Sequence, residues 1–474
     1  MGEEIRIHEF TPADIAEFEA RLARETEMLG DWFARGELAE EHPVGGFEVE
    51  AWLIDGKANP LPINNRFLAM VNSPDIVPEL SRYNVEINTP PPPLAGSALS
   101  RMHDNLRRTL ARSNSVARKL DAELLMTGIL PTLRDEHLSM DHMSTTERFR
   151  ALNDQIIRSR RGAPIRLDIA GADKLQSVHR DVMLEAATTS FQIHIQAPQS
   201  NATRYYNASI IASAPMVALT ANSPFLFGRD LWDETRIPLF EQAVSITPNP
   251  RSNLNRATFG GSFVEGSLHD VFRENARQYT ALLPALMDGN PEELRHLRLQ
   301  NGTLWRWNRP LIGFDDDGAP HLRIEHRAPP AGPSVADSIA NAAFYFGLTH
   351  AMASDDSPPE SRITFQQARD NFYTAAKDGL RAEITWLDKQ YVSLHELIWE
   401  RLASTAESGL LKLGLDAADV DLYMEIIEAR LRTGRNGTHW QRRFVAQHGG
   451  NMQALAQAYR DNQQTGNPVH EWKL

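Results

Sequence analysis

Cysteine is absent from the 474 residues. That removes disulfides, thiolate zinc sites, iron–sulfur clusters and cysteine nucleophiles at once. It leaves the compartment open, because exported and cytosolic chains alike can lack cysteine. No run of about 18 apolar residues occurs, so no membrane span is expected. The segment Met1 to Ile7 is acidic and has no apolar centre, so it does not read as a signal peptide. A soluble, cytoplasmic chain is the expectation. Basic residues are the minority: 49 Lys and Arg against 62 Asp and Glu give a formal net charge of −13. Such a surface does not suit DNA or anionic membranes, so neither is an expected partner, and any phosphate must be met in a local basic pocket. Glycine-rich phosphate cradles are missing too, with no P-loop and no G-x-G-x-x-G. H-E-x-x-H and G-x-S-x-G are also absent. Arginines and metal would then have to hold a phosphate.

What is present is an ordinary globular composition, 42% hydrophobic and 23% charged. Thr11-Pro12-Ala13-Asp14 reads as a helix start, with an N-cap hydroxyl, proline in the first turn and an acid to meet the dipole. Strand patterns follow at Phe47 to Ile54, Tyr83 to Asn88, Ser190 to Gln196 and Leu322 to Arg327. Helical patterns are read from about Ser97 to Leu125, from Tyr205 to Leu219 and from Ser334 to His350. The stretch Thr127 to Ala170 is irregular and reads as a functional connection or lid. Arg229 to Gly266, with Pro238, Pro248, Pro250 and Gly260-Gly261, reads as loop-rich. Beyond Asp355 strand signals nearly vanish and amphipathic helices take over. The fold class is α+β rather than a strict βαβ alternation. The chain divides into residues 1–354, a mixed core of strands and helices, and residues 355–474, a C-terminal helical region.

The four strands share one pattern. Alternation places Phe47, Val49 and Ala51 on one face of the first strand and Glu48 and Glu50 on the other. In the second strand Glu86 opposes Tyr83, Val85 and Ile87. In the third, Gln192, His194 and Gln196 oppose Phe191, Ile193 and Ile195. In the fourth, Arg323, Glu325 and Arg327 oppose Leu322 and Ile324. Taken singly, each polar face reads as an ordinary solvated surface. Taken as one antiparallel sheet, they gather Glu48, Glu50, Glu86, His194 and Glu325 on a shared open face. Four carboxylates there need cations to coexist ionised, and oxygen ligands with one imidazole suit Mg²⁺, with Mn²⁺ as the alternative. Trp305 and Trp307 read as core packing, nucleobase stacking being the lesser option. His137, His142 and the run Arg158 to Arg161 read as surface features.

In this order the motifs resemble the glutamate–cysteine ligase family of the glutamine synthetase superfamily. Gly46-Phe-Glu-Val-Glu50 is similar to its G-x-E-x-E strand and Asn84 to Pro90 to its V-E-[IF]-x-T-P segment. Phe191 to Gln196 matches the strand that places one His or Asn, and Ala221 to Phe225 its A-N-S-P loop. Asn308-Arg309-Pro310 with Leu322 to Arg327 is similar to its R-P … E-x-R ending. The resemblance covers roughly residues 40–350 and implies a curved antiparallel sheet forming a funnel-shaped active site. It implies ATP and Mg²⁺, with Glu48, Glu50, Glu86, His194 and Glu325 as metal ligands. It implies catalytic roles for Arg327 and Arg309, and phosphate or substrate binding for Arg148, Arg236 and Arg256. The implied activity is ATP-dependent amide formation through an acyl phosphate, between the γ-carboxylate of glutamate and an amine or amino acid, as in glutathione biosynthesis. Gln196 and the Ala328-Pro329-Pro330 continuation depart from the family pattern on the acceptor side, so the acceptor stays open. Two other readings remain: a non-catalytic nucleotide- or amino-acid-binding regulatory protein, and a phosphotransferase on the same superfold. The assembly is also open, a homodimer included.

Overall fold

The alternation that starts at the Gly45-Gly46 break becomes strand β1 (Gly45–Ile54) in the computed structural model, which describes residues 5, 9–41, 43–247 and 255–474. Most of the Met1 to Ile7 segment, Pro248 and Pro250 lie outside that set. Six more strands complete the main sheet: β2 (Ile76–Pro78), β3 (Asn84–Asn88), β4 (Glu123–Leu125), β5 (Phe191–Ala197), β6 (Asn308–Phe314) and β7 (Pro320–His326). Their order is β6-β7-β5-β1-β3-β2, all antiparallel, with β4 also on β1. Along one edge β1 pairs first with β5, from Gly45 to Val49, and then with β4, from Trp52 to Ile54. Two successive partners on one edge bend the sheet, which curls into an open half-barrel.

The helices that position the site are α1 (Pro12–Arg35), α2 (Ala98–Ala117), α3 (Glu147–Ser159), α4 (Ala202–Thr220), α5 (Arg236–Ala243), α6 (Arg295–Gly302), α7 (Val335–Ala353), α8 (Ala417–Thr433) and α9 (Met452–Gln464). Helices α4 and α7 pack against each other and under the sheet, and are buried on almost every side, as their small and apolar residues allow. Above them the apolar strand residues, among them Val49, Ile87, Ile193 and Ile324, are fully buried. Each such side chain contributes about 1.5–3 kcal/mol on burial. That anchors the register, and a one-residue slip would turn the polar face into the core.

The described helices beyond Asp355 pack into the same hydrophobic cluster as the sheet-bearing part. The buried guanidinium of Arg430 on α8 pairs with Asp337 (2.8 Å) and Asn341 (2.7 Å) on α7. The Tyr459 hydroxyl on α9 donates to the Met126 carbonyl (3.1 Å) and accepts from Asn222 (2.7 Å). A small hairpin, Glu383–Thr385 with Tyr391–Ser393, interrupts the helices.

Several local expectations change. The helix expected from Ser97 to Leu125 stops at Ala117. Asp121 adopts a left-handed turn (φ 55°), and Glu123–Leu125 leaves to pair with β1. The open edge of β1 outweighs the local helical pattern there. The loop-rich stretch holds helix α5, with Pro238 in its first turn, where the missing N–H costs little. The irregular connection holds α3. Arg158 and Arg161 are exposed, but Arg160 is buried and donates to the carbonyls of Ala163, Pro164, Ser245 and Thr247. The Thr11 cap forms as expected, its hydroxyl accepting from Asp14 N at 3.2 Å.

Candidate active site

Strand pairing sets the polar face out in rows. One row runs Arg309, Glu325, His194, Gly46 across β6, β7, β5 and β1. The next holds Gln192, Glu48 and Asn88, and a third pairs Glu50 with Glu86. Residues 48 to 325 in the sequence thus share one floor. The five residues expected to bind metal separate into two groups. Glu48, His194 and Glu325 offer ligand atoms within 4.8 Å of one another, and so do Glu50, Glu86 and a sixth residue, Glu79.

In the first group Glu325 is gripped by arginine. Arg309 donates to both of its oxygens (2.8 and 3.0 Å), and Arg327 Nη1 to one of them (3.1 Å). Burial alone would raise this carboxyl, but the Arg309 and Arg327 charges outweigh it and hold it well below the usual range. His194 Nε2 lies 3.5 Å from Glu48 and 3.7 Å from Glu325. Both ring nitrogens are buried without a hydrogen-bond partner among the described residues. Burial pushes the imidazole down to about 4, against the pull of Glu48 and Glu325, so it is neutral at pH 7. A neutral imidazole aimed between two carboxylates, too far from either to hydrogen-bond, fits a cation position. Octahedral ligands at about 2.1 Å would sit roughly 3.0 Å apart when adjacent and about 4.2 Å when opposite.

Among the described residues no hydrogen bond from arginine to the second group's carboxylates matches that grip. Glu50 accepts from Ser190 N and Oγ (2.7 Å each) and from Gln192 (3.1 Å). Glu86 accepts from Asn88 (3.0 Å) and shares a hydrogen bond with Glu79. Burial, followed by the Glu48 charge, pushes Glu86 up to about 8. Burial and the Glu86 charge raise Glu79 well above the usual range. Without a cation Glu86 keeps its proton at neutral pH, and burial raises Glu50 as well. Six oxygens of three carboxyl groups make a donor set for a hard divalent ion.

The cleft above this floor holds about 1480 Å³ of atom-free space, open to solvent. Of the arginines expected at the site, Arg148, Arg309 and Arg327 line it. Arg236 and Arg256 do not. Arg236 is buried and donates to Glu234 (3.1 Å) and to the carbonyls of Ala328 (3.0 Å) and Arg327 (3.4 Å), so it braces the backbone that carries Arg327. Arg256 is buried and donates to Thr303 (3.0 Å) and to the Thr280 carbonyl. Residues not singled out from the sequence also enter: Glu79, Glu185, and Arg295 and Arg298 on α6. Arg323 lines the cleft beside the first group, electrostatically coupled to Glu48 and Glu325. Trp305 faces the cleft half-buried, while Trp307 is core and donates to Glu241 at 2.8 Å. His137 and His142 stay away from the cleft, His142 Nδ1 lying 2.8 Å from the His137 carbonyl.

A sequence profile described as Glutamate-cysteine ligase family 2 matches residues 45–458. No curated protein matches the chain in sequence. Among solved structures, a glutamate–cysteine ligase from Francisella tularensis in complex with AMP aligns with a TM-score of 0.54 at 13% identity, over 91% of this chain and 90% of that one. A bifunctional glutathione synthetase from Pasteurella multocida aligns with a TM-score of 0.48 at 11% identity, over 94% of this chain and 55% of that one. The first likeness is one of fold, a curled antiparallel sheet with helices. Among the described residues no helix is long and apolar enough to cross a membrane.

Proposed function

The chain belongs to glutamate–cysteine ligase family 2, and from that premise we propose an ATP-dependent carboxylate–amine ligase. The acyl donor is a side-chain carboxylate, the γ-carboxylate of glutamate in our reading, and the intermediate is an acyl phosphate. The observation that carries this is the pair of acidic groups on one floor, Glu48–His194–Glu325 and Glu50–Glu79–Glu86, flanked by cleft-facing arginines. A free carboxylate is a poor electrophile, so its oxygen must first take the γ-phosphoryl group of ATP. Divalent ions held by the two groups would neutralise phosphate charge during that transfer.

The chain's own side chains supply the rest. Among the described residues only Nη1 of Arg327 is engaged, by Glu325 and Gln192, which leaves the other face of its fork for phosphoryl oxygens. Arg309 fixes Glu325 through a two-point contact and so sets the first group's geometry. Arg148, Arg298 and Arg323 add positive charge along the walls, against the chain's acidic net balance. Phe149, Leu152, Val182 and Leu299 give the cleft apolar walls. An amine then attacks the acyl carbon and inorganic phosphate leaves. The domain reading goes with this proposal, residues 1–354 carrying the chemistry and residues 355–474 bracing the sheet's supporting helices.

The test is purified protein with ATP, Mg²⁺, glutamate and a panel of amines, with ADP, phosphate and amide measured together. The proposal expects the three products in equal amounts, and ¹⁸O moving from the labelled γ-carboxylate into phosphate. ATP binding without turnover would favour a regulatory binder. A stable phosphorylated product without free phosphate would favour a phosphotransferase.

A further inference from the structure

Glu185 belongs to neither acidic group, yet it lines the same cleft. It sits half-buried in the short helical turn Met183–Ala187 that leads into β5. Each of the other cleft carboxylates has a polar neighbour of its own. Glu48 faces His194, Glu50 takes Ser190 and Gln192, Glu79 takes the Leu80 amide, Glu86 takes Asn88, and Glu325 takes two arginines. The Glu185 carboxylate accepts no hydrogen bond and joins no salt bridge among the described residues; only the backbone carbonyl accepts, from Thr188. Arg327 attracts it from a distance and Glu50 repels it. The turn is tied to α3 by Val182 N donating to Asn153 Oδ1 (3.2 Å). Val182, with Phe149 and Leu152 of α3, lines the cleft with apolar surface. A carboxylate in such a setting is unfavourable until a cation meets it.

We propose that Glu185 is the specificity-determining residue for the acceptor, binding it as a protonated amine whose apolar body lies along Phe149, Leu152 and Val182. This rests on the ligase reading and narrows its substrate class to cationic amines with an apolar body. In the reaction the bound ammonium first gives one proton to solvent, and the lone pair so freed forms the bond to the acyl carbon as the carbon–oxygen bond to phosphate breaks. Of its three protons one stays on the amide, one leaves with phosphate as HPO₄²⁻, and one goes to solvent.

Two probes separate the claims: ethylamine, a cation at pH 7.5, and hydroxylamine, which is neutral there. The full chain is assayed with ATP, Mg²⁺ and glutamate, as wild type, Glu185→Gln and Glu185→Asp. Glu185→Gln should lower kcat/KM for ethylamine about 10- to 100-fold more than for hydroxylamine, the scale of a lost charge-assisted contact. The loss should sit mainly in the ethylamine KM, and Glu185→Asp should recover part of it. Hydroxamate formation by Glu185→Gln also reports a folded, competent site. Equal losses for both probes, no loss for either, no ethylamide from the wild type, or a shift only in the Mg²⁺ requirement would overturn the assignment and leave the ligase reading standing. A wild type that makes no hydroxamate at all would overturn the ligase reading and this assignment with it.

Discussion

The two acidic groups on the sheet floor solve one problem in different ways. Both crowd carboxylates into a buried place. Around Glu325 the repulsion is met by protein cations, Arg309 and Arg327, both donating to one carboxylate. Around Glu86 it is met by protons, with Glu79 and Glu86 sharing a hydrogen bond and both carboxyls pushed upward. The difference teaches that the first group is assembled before any ligand arrives, whereas the second is completed by whatever replaces its protons. Charge removal should therefore have opposite effects on stability in the two places.

The largest effect is expected at Glu325. Glu325→Gln leaves two buried guanidinium groups facing a neutral amide. Stability should fall by about 3–5 kcal/mol in urea unfolding, the usual cost of breaking a buried pair. Turnover, read as phosphate release, should fall by about three orders of magnitude. Glu86→Gln is the mirror experiment. It should also cut turnover strongly, but raise the melting temperature of metal-free protein at pH 8, because it removes repulsion rather than pairing. A lower melting temperature would break the contrast between the groups.

The contrast sharpens with pH. An unfolded glutamate titrates near about 4.3, while folded, metal-free Glu86 titrates at about 8. Between those values the folded chain keeps a proton the unfolded chain has lost, so stability falls as pH rises. Glu325, shifted downward, is ionised in both states above pH 6 and adds no slope there. Buried His194 is neutral in both states above about pH 7, so thermal melts of metal-free protein should drop from pH 7 to pH 8, and Mg²⁺ should raise them more at pH 8. A gain from Mg²⁺ that is equal at both pH values would count against proton-for-metal exchange. The smallest catalytic effect is expected at Arg256, whose donors go to Thr303 and Thr280. Arg256→Lys should lower the melting temperature and leave the KM for ATP unchanged.

Period-two alternation made most of the floor legible from sequence, because strands must turn every second side chain the same way. That is how Glu48, Glu50, Glu86, His194 and Glu325 could be gathered before any fold was known. Glu79 escaped because it follows the three-residue strand Ile76–Pro78, too short to alternate. Glu185 escaped because a single helical turn carries no period. Arg236 and Arg256 matched a family pattern, but a long side chain can turn toward backbone carbonyls as readily as toward a ligand, and sequence does not say which. The end of α2 was misjudged because the pairing of β4 with β1 is a long-range contact that no local pattern encodes.

The most direct test counts ions. Mn²⁺ is titrated into the full chain with a non-hydrolysable ATP analogue, bound and free metal being separated by electron paramagnetic resonance. The account predicts at least two bound ions, one lost in Glu86→Gln and a different one lost in Glu48→Ala. A single ion, or a count that neither substitution changes, would contradict it.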